Sequence, residues 1–262
     1  LNSAQLEVLK LLYRFRFASS DVIAQYFGKS SGVFVYKRLK ILQEQGYIIK
    51  RFDSSYRIQG KPATYCLSPM GGRMLQEHEP PDVTINIKGL YKNKANSEAF
   101  VRHCIDMFII HNQLKASYGG TLKFFTKSEI GIYDYFPQPL PDAYFRLTKP
   151  KQTDQFFINL CYSSQPFFTL VREVKKFIEY AELGDWDATG TNLPVMLLVC
   201  ESYSLQKRLQ KFIASALDSF DDEARFALTT QSVLLSGKSN IWQIADDPET
   251  VLTLDGIVES ID

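Results

Sequence analysis

Basic and aromatic side chains are concentrated in one short stretch of the chain. The residues concerned are Ser31, Tyr36, Lys37, Arg38 and Lys40. Lysine and arginine neutralise phosphate groups, and arginine and tyrosine can also reach base edges, so the chemistry on offer is contact with a polyanion. A second basic group follows it in the sequence. This group consists of Lys50, Arg51, Arg57 and Lys61.

Three predicted helices position the first group. They cover residues 3–16, about 20–27 and about 31–45, and in each of them apolar residues recur at helical spacing. Ser30 or Ser31 is the predicted cap of the third helix, and Gly46 ends it. Three helices joined by short polar turns are typical of a helix-turn-helix.

The third helix is predicted to turn its basic side chains away from the core. Its inward stripe consists of Val35, Leu39 and Leu42. A rotation of about 100° per residue places Lys37 and Lys40 on the opposite face. Tyr36 and Arg38 fall on the flanks, within reach of phosphates or base edges.

A hairpin is predicted to position the second basic group. After Gly46 the apolar pattern becomes alternating, which predicts strands over about 47–51 and 63–67 around the loop DSSYRIQGKP. A hairpin directly after a helix-turn-helix is a wing, where basic side chains contact phosphates or the minor groove. With a further helix over 69–78, residues 1–78 are predicted to form a winged-helix domain.

The charge of the chain is unevenly distributed. Residues 1–78 contain 12 Lys and Arg against 5 Asp and Glu, a net charge of +7, whereas residues 79–262 contain 18 against 24, a net charge of −6. This asymmetry favours double-stranded DNA as the partner of the first domain. Two alternatives are a solvated helix face and a winged helix that docks a protein.

The remaining residues predict an α/β domain. Residues 79–96 are interpreted as a linker and loop, residues 97–240 as the domain, and residues 241–262 as an acidic segment that is an edge element, a partner-binding tail or a solvated terminus. The predicted strands cover 121–127, 142–147, 155–161, 195–200 and 225–235. One predicted helix begins at Ser97 and ends at Gly119-Gly120. Two further helices are predicted over 166–183 and 204–220.

Several motifs point to a known family. They are GYIIKRF, YCLSPMGGRML, VRHCIDMFIIHNQL, LPDAYFRL and QFFINLCYSSQPFFTLVREVKKFIEY. The element order of the second half resembles a PD-(D/E)xK nuclease core. From about Leu6 to Leu235 the chain resembles the replication-relaxation family of plasmids and other mobile elements, in which a winged helix precedes such a fold. The resemblance implies a sequence-specific DNA-binding protein that acts in transcription regulation, replication or conjugative transfer.

The same resemblance predicts that the nuclease-like domain is inactive. In an active enzyme of this type, an Asp and a Glu-x-Lys on neighbouring strands hold Mg²⁺ and activate water. By resemblance Asp142 fills the first role, but Asn159 and Cys161 stand where Glu and Lys would be. A neutral amide is a weak Mg²⁺ ligand and a thiol supplies no ammonium group. We therefore expect no catalysis, no metal and no cofactor.

An inert domain of this kind would serve for oligomerisation, as in a homodimer, or for docking a protein partner. The alternative is an active Mg²⁺-dependent nuclease with an unusual ligand set around Asp142. On the next predicted helix, Glu173, Lys175 and Lys176 could complete such a set. The predicted buried stripe of that helix, however, leaves Glu173 and Lys176 on other faces. This stripe consists of Phe167, Val171, Val174 and Ile178.

Cysteine usage and hydropathy bear on the compartment. Four widely spaced cysteines without a CxxC motif are expected to be buried free thiols. They are Cys66, Cys104, Cys161 and Cys200. No apolar run is long enough to span a bilayer, and the chain start has no secretory pattern. We expect a cytoplasmic protein without a membrane partner.

Overall fold

The computed structural model describes residues 1–52, 56, 58, 60–80, 83–150, 152–217, 224–247 and 249–260. The chain forms two compact units, Leu1–Asn112 and Gln113–Asp262. The predicted wing residue Arg57 lies outside the described residues.

The first unit contains the predicted helices and hairpin. A three-stranded antiparallel sheet of order β1-β3-β2 accompanies the helices. Strand β1 was not predicted, because three residues between two helices carry no readable alternation. The elements are α1 (Ser3–Phe15), β1 (Phe17–Ser19), α2 (Ser20–Tyr26), α3 (Val33–Glu44), β2 (Ile48–Arg51), β3 (Thr64–Leu67), α4 (Pro69–Gln76), α5 (Ile87–Leu90), a 3₁₀ turn (Tyr91–Ala95) and α6 (Glu98–Tyr118), which continues into the second unit.

The turn between α2 and α3 differs from the prediction in its cap. Gly32, rather than Ser30 or Ser31, is the residue at which α3 begins. Its N–H donates to Asp21 Oδ1 at 2.7 Å, and a Cβ at this position would lie 2.5 Å from Ser20 Oγ. The start of α3 therefore approaches the first turn of α2 so closely that only glycine fits.

The domain boundary also differs from the prediction. The greater part of α6 belongs to the first unit, since Phe108 stacks on Phe15 with ring centroids 4.1 Å apart and Val101 and Cys104 pack in one apolar cluster with Phe17. The first unit therefore extends beyond residues 1–78, the range predicted for a winged-helix domain. Apolar burial by α6 is what extends it to Asn112.

Residues 79–96 are not the predicted linker. Ile85, Leu90 and Asn93 are buried. The Asn93 amide donates to the carbonyl of Leu67 at 3.2 Å, and its oxygen accepts from Arg16 at 2.9 Å. A buried amide with both ends satisfied fixes this segment against the small sheet, although its irregular sequence looked like a loop.

The second unit is a mixed α/β fold, as predicted. Its seven-stranded sheet has the order β10-β9-β8-β7-β6-β5-β4, in which β6, β7 and β8 are parallel and the other pairs are antiparallel. Helices α8 and α9 are the crossovers that the parallel pairs require. The elements are β4 (Leu122–Thr126), α7 (Lys127–Ile130), β5 (Ala143–Thr148), β6 (Thr153–Cys161), α8 (Phe167–Leu183), β7 (Val195–Cys200), α9 (Tyr203–Leu217), β8 (Phe226–Thr230), α10 (Gln231–Leu234), β9 (Trp242–Ile244), β10 (Val251–Leu252) and α11 (Leu254–Glu259).

The acidic C-terminal segment is an edge element and not a separate region. Strands β9 and β10 extend the large sheet, and Trp242, Leu254 and Ile257 are buried. The predicted last strand is shorter than expected, because Thr230 caps α10 by accepting from the N–H of Val233. Burial of three large apolar side chains explains why the acidic residues around them do not form a solvated tail.

All four cysteines are free and buried, as predicted. Among the described helices, none combines the length and the apolar character needed to cross a membrane.

Candidate nucleic-acid interface and the positions of the nuclease residues

The predicted orientation of α3 is confirmed by burial. The stripe formed by Val35, Leu39 and Leu42 is inaccessible to solvent. Lys37 and Lys40 are exposed on the opposite face. Because these lysines do not pack in the core, their ammonium groups are available to an external polyanion.

Arg38 contributes less to this face than expected. Its guanidinium carbon lies 5.4 Å from the ring centroid of Phe27 and 6.0 Å from that of Phe34. The side chain is half-buried, and its Nη1 atom is enclosed without a hydrogen-bond partner among the described residues. Stacking between the two rings gives Arg38 a role in orienting Phe34.

Three exposed residues beside this face were not predicted from the sequence. They are Lys29, Val33 and Phe34. The Lys29 ammonium lies 5.0 Å from the Phe34 ring centroid, so it is held close to the first turn of α3. The available signal was the turn FGKSSG, which sets Lys29 immediately before the helix.

Four further predicted contact residues are also at the surface, namely Ser31, Tyr36, Lys50 and Lys61. Lys40 lies 3.9 Å from Glu44, an exposed pair worth little energy. The Lys50 ammonium is 5.2 Å from the Phe52 ring, Lys61 is exposed, and the exposed Ser31 hydroxyl accepts from the N–H of Val33. Their positions are compatible with phosphate contact.

Arg51 is the predicted DNA contact that the structure assigns to another role. Its guanidinium lies 3.0 Å from Glu98 and donates to the carbonyls of Asn93 and Asn96 at 3.1–3.2 Å. Only 17% of the side chain is exposed. Because β2 directs this residue inward toward the start of α6, its donors are used in holding the unit together. We therefore remove Arg51 from the candidate interface.

In the second unit, Asp142 and Asn159 occupy the predicted nuclease positions, and their side chains hydrogen-bond to backbone N–H groups across the two neighbouring strands. Asp142 Oδ2 accepts from the N–H of Leu160 at 2.9 Å, and Asn159 Oδ1 accepts from the N–H of Asp142 at 2.9 Å. Lys127 Nζ lies 3.8 Å from Asp142 Oδ1. These bonds join the start of β5 to the end of β6, which is a structural use of both side chains.

Cys161 cannot replace the lysine of an active nuclease. It is the register partner of Cys200 on the neighbouring parallel strand. A hydrogen bond with the Cys200 thiol, followed by burial and the charges of Asp142 and Glu173, raises the pKa of Cys161 well above its ordinary value. The thiol therefore stays protonated near neutral pH and supplies neither a cation nor a thiolate ligand.

Glu173 lies closer to these residues than the sequence predicted. It lines a cavity of about 10 Å³ together with Asn159, Cys161 and seven apolar residues. Burial raises the pKa of Glu173, the charge of Asp142 raises it further, and Lys127 and Arg172 lower it. Helix α8 buries Val174 and Ile178 as predicted, but Leu170 and Phe177 complete the buried stripe in place of Phe167 and Val171. This partial rotation brings Glu173 toward the sheet.

The residues present do not fit the Mg²⁺ site of an active nuclease. The cavity lined by Asn159, Cys161 and Glu173 has a volume of about 10 Å³ and admits at most one water molecule, whereas Mg²⁺ retains several of its waters. Asp142 does not line this cavity. Within the described residues, no three His, Cys, Asp or Glu side chains are grouped so that they could hold a metal ion. Besides Asp142 and Glu173, an active site of this type needs a carboxylate and an ammonium group where this chain has the neutral amide of Asn159 and the neutral thiol of Cys161.

We expect Asp142→Ala to reduce stability and to leave the response to Mg²⁺ unchanged. The side chain is 14% exposed, so its loss leaves the N–H of Leu160 poorly satisfied and lowers the free energy of unfolding by about 1–3 kcal/mol. Denaturant unfolding with and without Mg²⁺ measures both effects. The exposed Asp134 provides the control variant, Asp134→Ala. Stabilisation of the native chain by millimolar Mg²⁺, abolished in Asp142→Ala, would show instead that a metal site is present.

Comparison with known proteins gives a family match and a distant structural likeness. The restriction endonuclease FokI is a similar solved structure, with 11% sequence identity and a TM-score of 0.33; the match covers 89% of this chain and 43% of that one. This chain thus spans less than half the length of the endonuclease. No curated protein matches it significantly. The family profile described as replication-relaxation matches residues 9–195, which is more than half of the chain. This chain belongs to the replication-relaxation family.

Proposed function

We propose that the first unit is a winged helix that binds double-stranded DNA through the exposed face of α3. The observation that carries the proposal is that this helix has one buried apolar face and one exposed basic face. Val35, Leu39 and Leu42 are buried, whereas Lys37 and Lys40 are exposed on the opposite side. In a helix-turn-helix this side of the last helix enters the major groove.

The surroundings of α3 support the same partner. Lys29 stands at its first turn, and the exposed Lys50 and Lys61 belong to the hairpin region. Residues 1–78 have a net charge of +7. Cations on both the helix and the hairpin suit a duplex, which presents phosphates on both sides of the groove.

The second unit, in this proposal, is not an enzyme and provides oligomerisation or a docking site for a protein partner. Support comes from the use of Asp142 and Asn159 in joining two strands and from the protonated thiol of Cys161. The family description supports a role in replication or transfer of a plasmid or mobile element, and regulation of transcription there is a further part of the proposal.

A salt titration tests the DNA-binding proposal. Fluorescence anisotropy of a labelled duplex should give a dissociation constant that weakens as salt rises. The slope of log K against log salt should approach about −4.5 if five lysines reach phosphates, since each contact adds about −0.9. The lysines concerned are Lys29, Lys37, Lys40, Lys50 and Lys61. Failure to bind any duplex at low salt, together with co-purification of one stable protein partner, would favour the protein-docking alternative.

A cleavage assay tests the proposed inactivity. Supercoiled plasmid incubated with the protein and Mg²⁺ should remain uncut. Cleavage that disappears in Asp142→Ala would overturn this part of the proposal, because the carboxylate would then take part in the reaction.

A further inference from the structure

The first turn of α3 exposes an apolar patch among the lysines. Val33 is 81% exposed, Phe34 53% and Tyr36 55%. Single exposed apolar residues are common on protein surfaces. Val33 and Tyr36 form a continuous patch instead, because residues three apart on a helix are neighbours.

The position of Val33 on the helix decides what this patch faces. A rotation of about 100° per residue puts Val33 within about 40° of Lys37 and close to the direction opposite the buried stripe. Val33 therefore points outward together with the lysines proposed to bind phosphate. Phe34 stands to one side, where the nearby cations of Lys29 and Arg38 hold its ring.

We infer that Val33 reads the methyl groups of thymine in the major groove, so that the protein prefers sites with A·T pairs opposite the first turn of α3. This inference rests on the proposed function. Residues near the N-terminus of a recognition helix are those that approach base edges. The C5-methyl of thymine is the apolar group that the major groove presents, and a valine side chain has no hydrogen-bonding atom with which to read any other.

The positive charges around the patch favour DNA as the ligand that covers it. Lys37 lies one helical turn after Val33, and the Lys29 ammonium lies 5.0 Å from the ring of the adjacent Phe34. An apolar protein partner would have to cover these ammonium groups without neutralising them. A duplex neutralises them through phosphates and offers methyl groups between the phosphate rows. A DNA duplex can therefore contact both the apolar side chains and the cations of this surface.

Replacement of thymine by deoxyuridine tests this inference without changing any phosphate. A duplex enriched from a random pool by repeated selection on the full chain is resynthesised with deoxyuridine at every thymine. The native chain should bind the deoxyuridine duplex about fourfold more weakly for each methyl group that packs on the helix. Val33→Ala should bind both duplexes with nearly equal affinity. Since the side chain is 81% exposed, this variant should fold normally.

Val83→Ala, at a partly exposed valine of the same unit, is the matched control and should keep the native ratio of affinities. Equal affinity of the native chain for the two duplexes would overturn the inference, and so would a Val33→Ala variant that keeps the full ratio. Failure of the proposed function would look different, because no duplex would then be enriched from the pool at all.

Discussion

Replacing Lys29, Lys37 and Lys40 together by alanine should weaken duplex binding by more than a hundredfold at 0.1 M salt. Each ammonium that reaches a phosphate contributes a factor of about eight at this salt concentration, as the slope of about 0.9 per contact implies. The slope of log K against log salt should therefore become shallower by about 2.7. Loss of Lys40 also leaves Glu44 without its partner, which adds repulsion from the phosphates.

The matched control removes the same charge elsewhere in the first unit. Lys88, Lys92 and Lys94 are exposed lysines of the segment that contains α5 and the 3₁₀ turn. Their triple alanine variant should keep most of the affinity and nearly the native salt slope. Equal losses in the two triple variants would mean that net charge, and not the face of α3, governs binding.

A fragment of residues 1–118 should fold, whereas a fragment of residues 1–78 should not. The shorter fragment lacks Phe108, Val101 and Cys104, which cover Phe15 and Phe17. Removing even one buried phenylalanine side chain costs about 3–5 kcal/mol, a large part of the stability of a small domain. Cooperative thermal unfolding, followed by circular dichroism, should be seen for the longer fragment alone.

A pair of point variants in the full chain tests the same prediction. Phe108→Ala should lower the free energy of unfolding by about 3–5 kcal/mol. Phe168→Ala, at an exposed phenylalanine of the second unit, should change it by about 0.5 kcal/mol or less. Cooperative unfolding of the 1–78 fragment with native-like stability would show that α6 is not part of this unit's core.

Elements with a strong local pattern could be predicted from the sequence. The stripe of Val35, Leu39 and Leu42 and the buried run Val195–Cys200 are examples, because burial of one helix face or of a whole strand is written into the apolar spacing. What could not be predicted depends on distant contacts. Asn93 satisfies groups of Arg16 and Leu67, and nothing in its own neighbourhood indicates that it is buried.

In the candidate sites, too, features set by the local pattern were predicted, and features that depend on distant contacts were not. Composition and spacing predicted the outward direction of Lys37 and Lys40, since the helix period fixes both faces at once. Arg51 was misassigned because charge alone does not reveal a partner 47 positions away, namely Glu98. Glu173 was misplaced because the predicted buried stripe of α8 differed by a partial rotation from the real one.

Lysine acetylation footprinting tests the central claim most directly. The full chain is acetylated briefly, with and without excess duplex, and modification is measured at each lysine by mass spectrometry. Lys29, Lys37 and Lys40 should be protected severalfold by DNA, while Lys88, Lys92 and Lys94 should be modified at the same rate in both states. Protection of the second set with none at α3 would contradict the proposal that this helix faces the duplex.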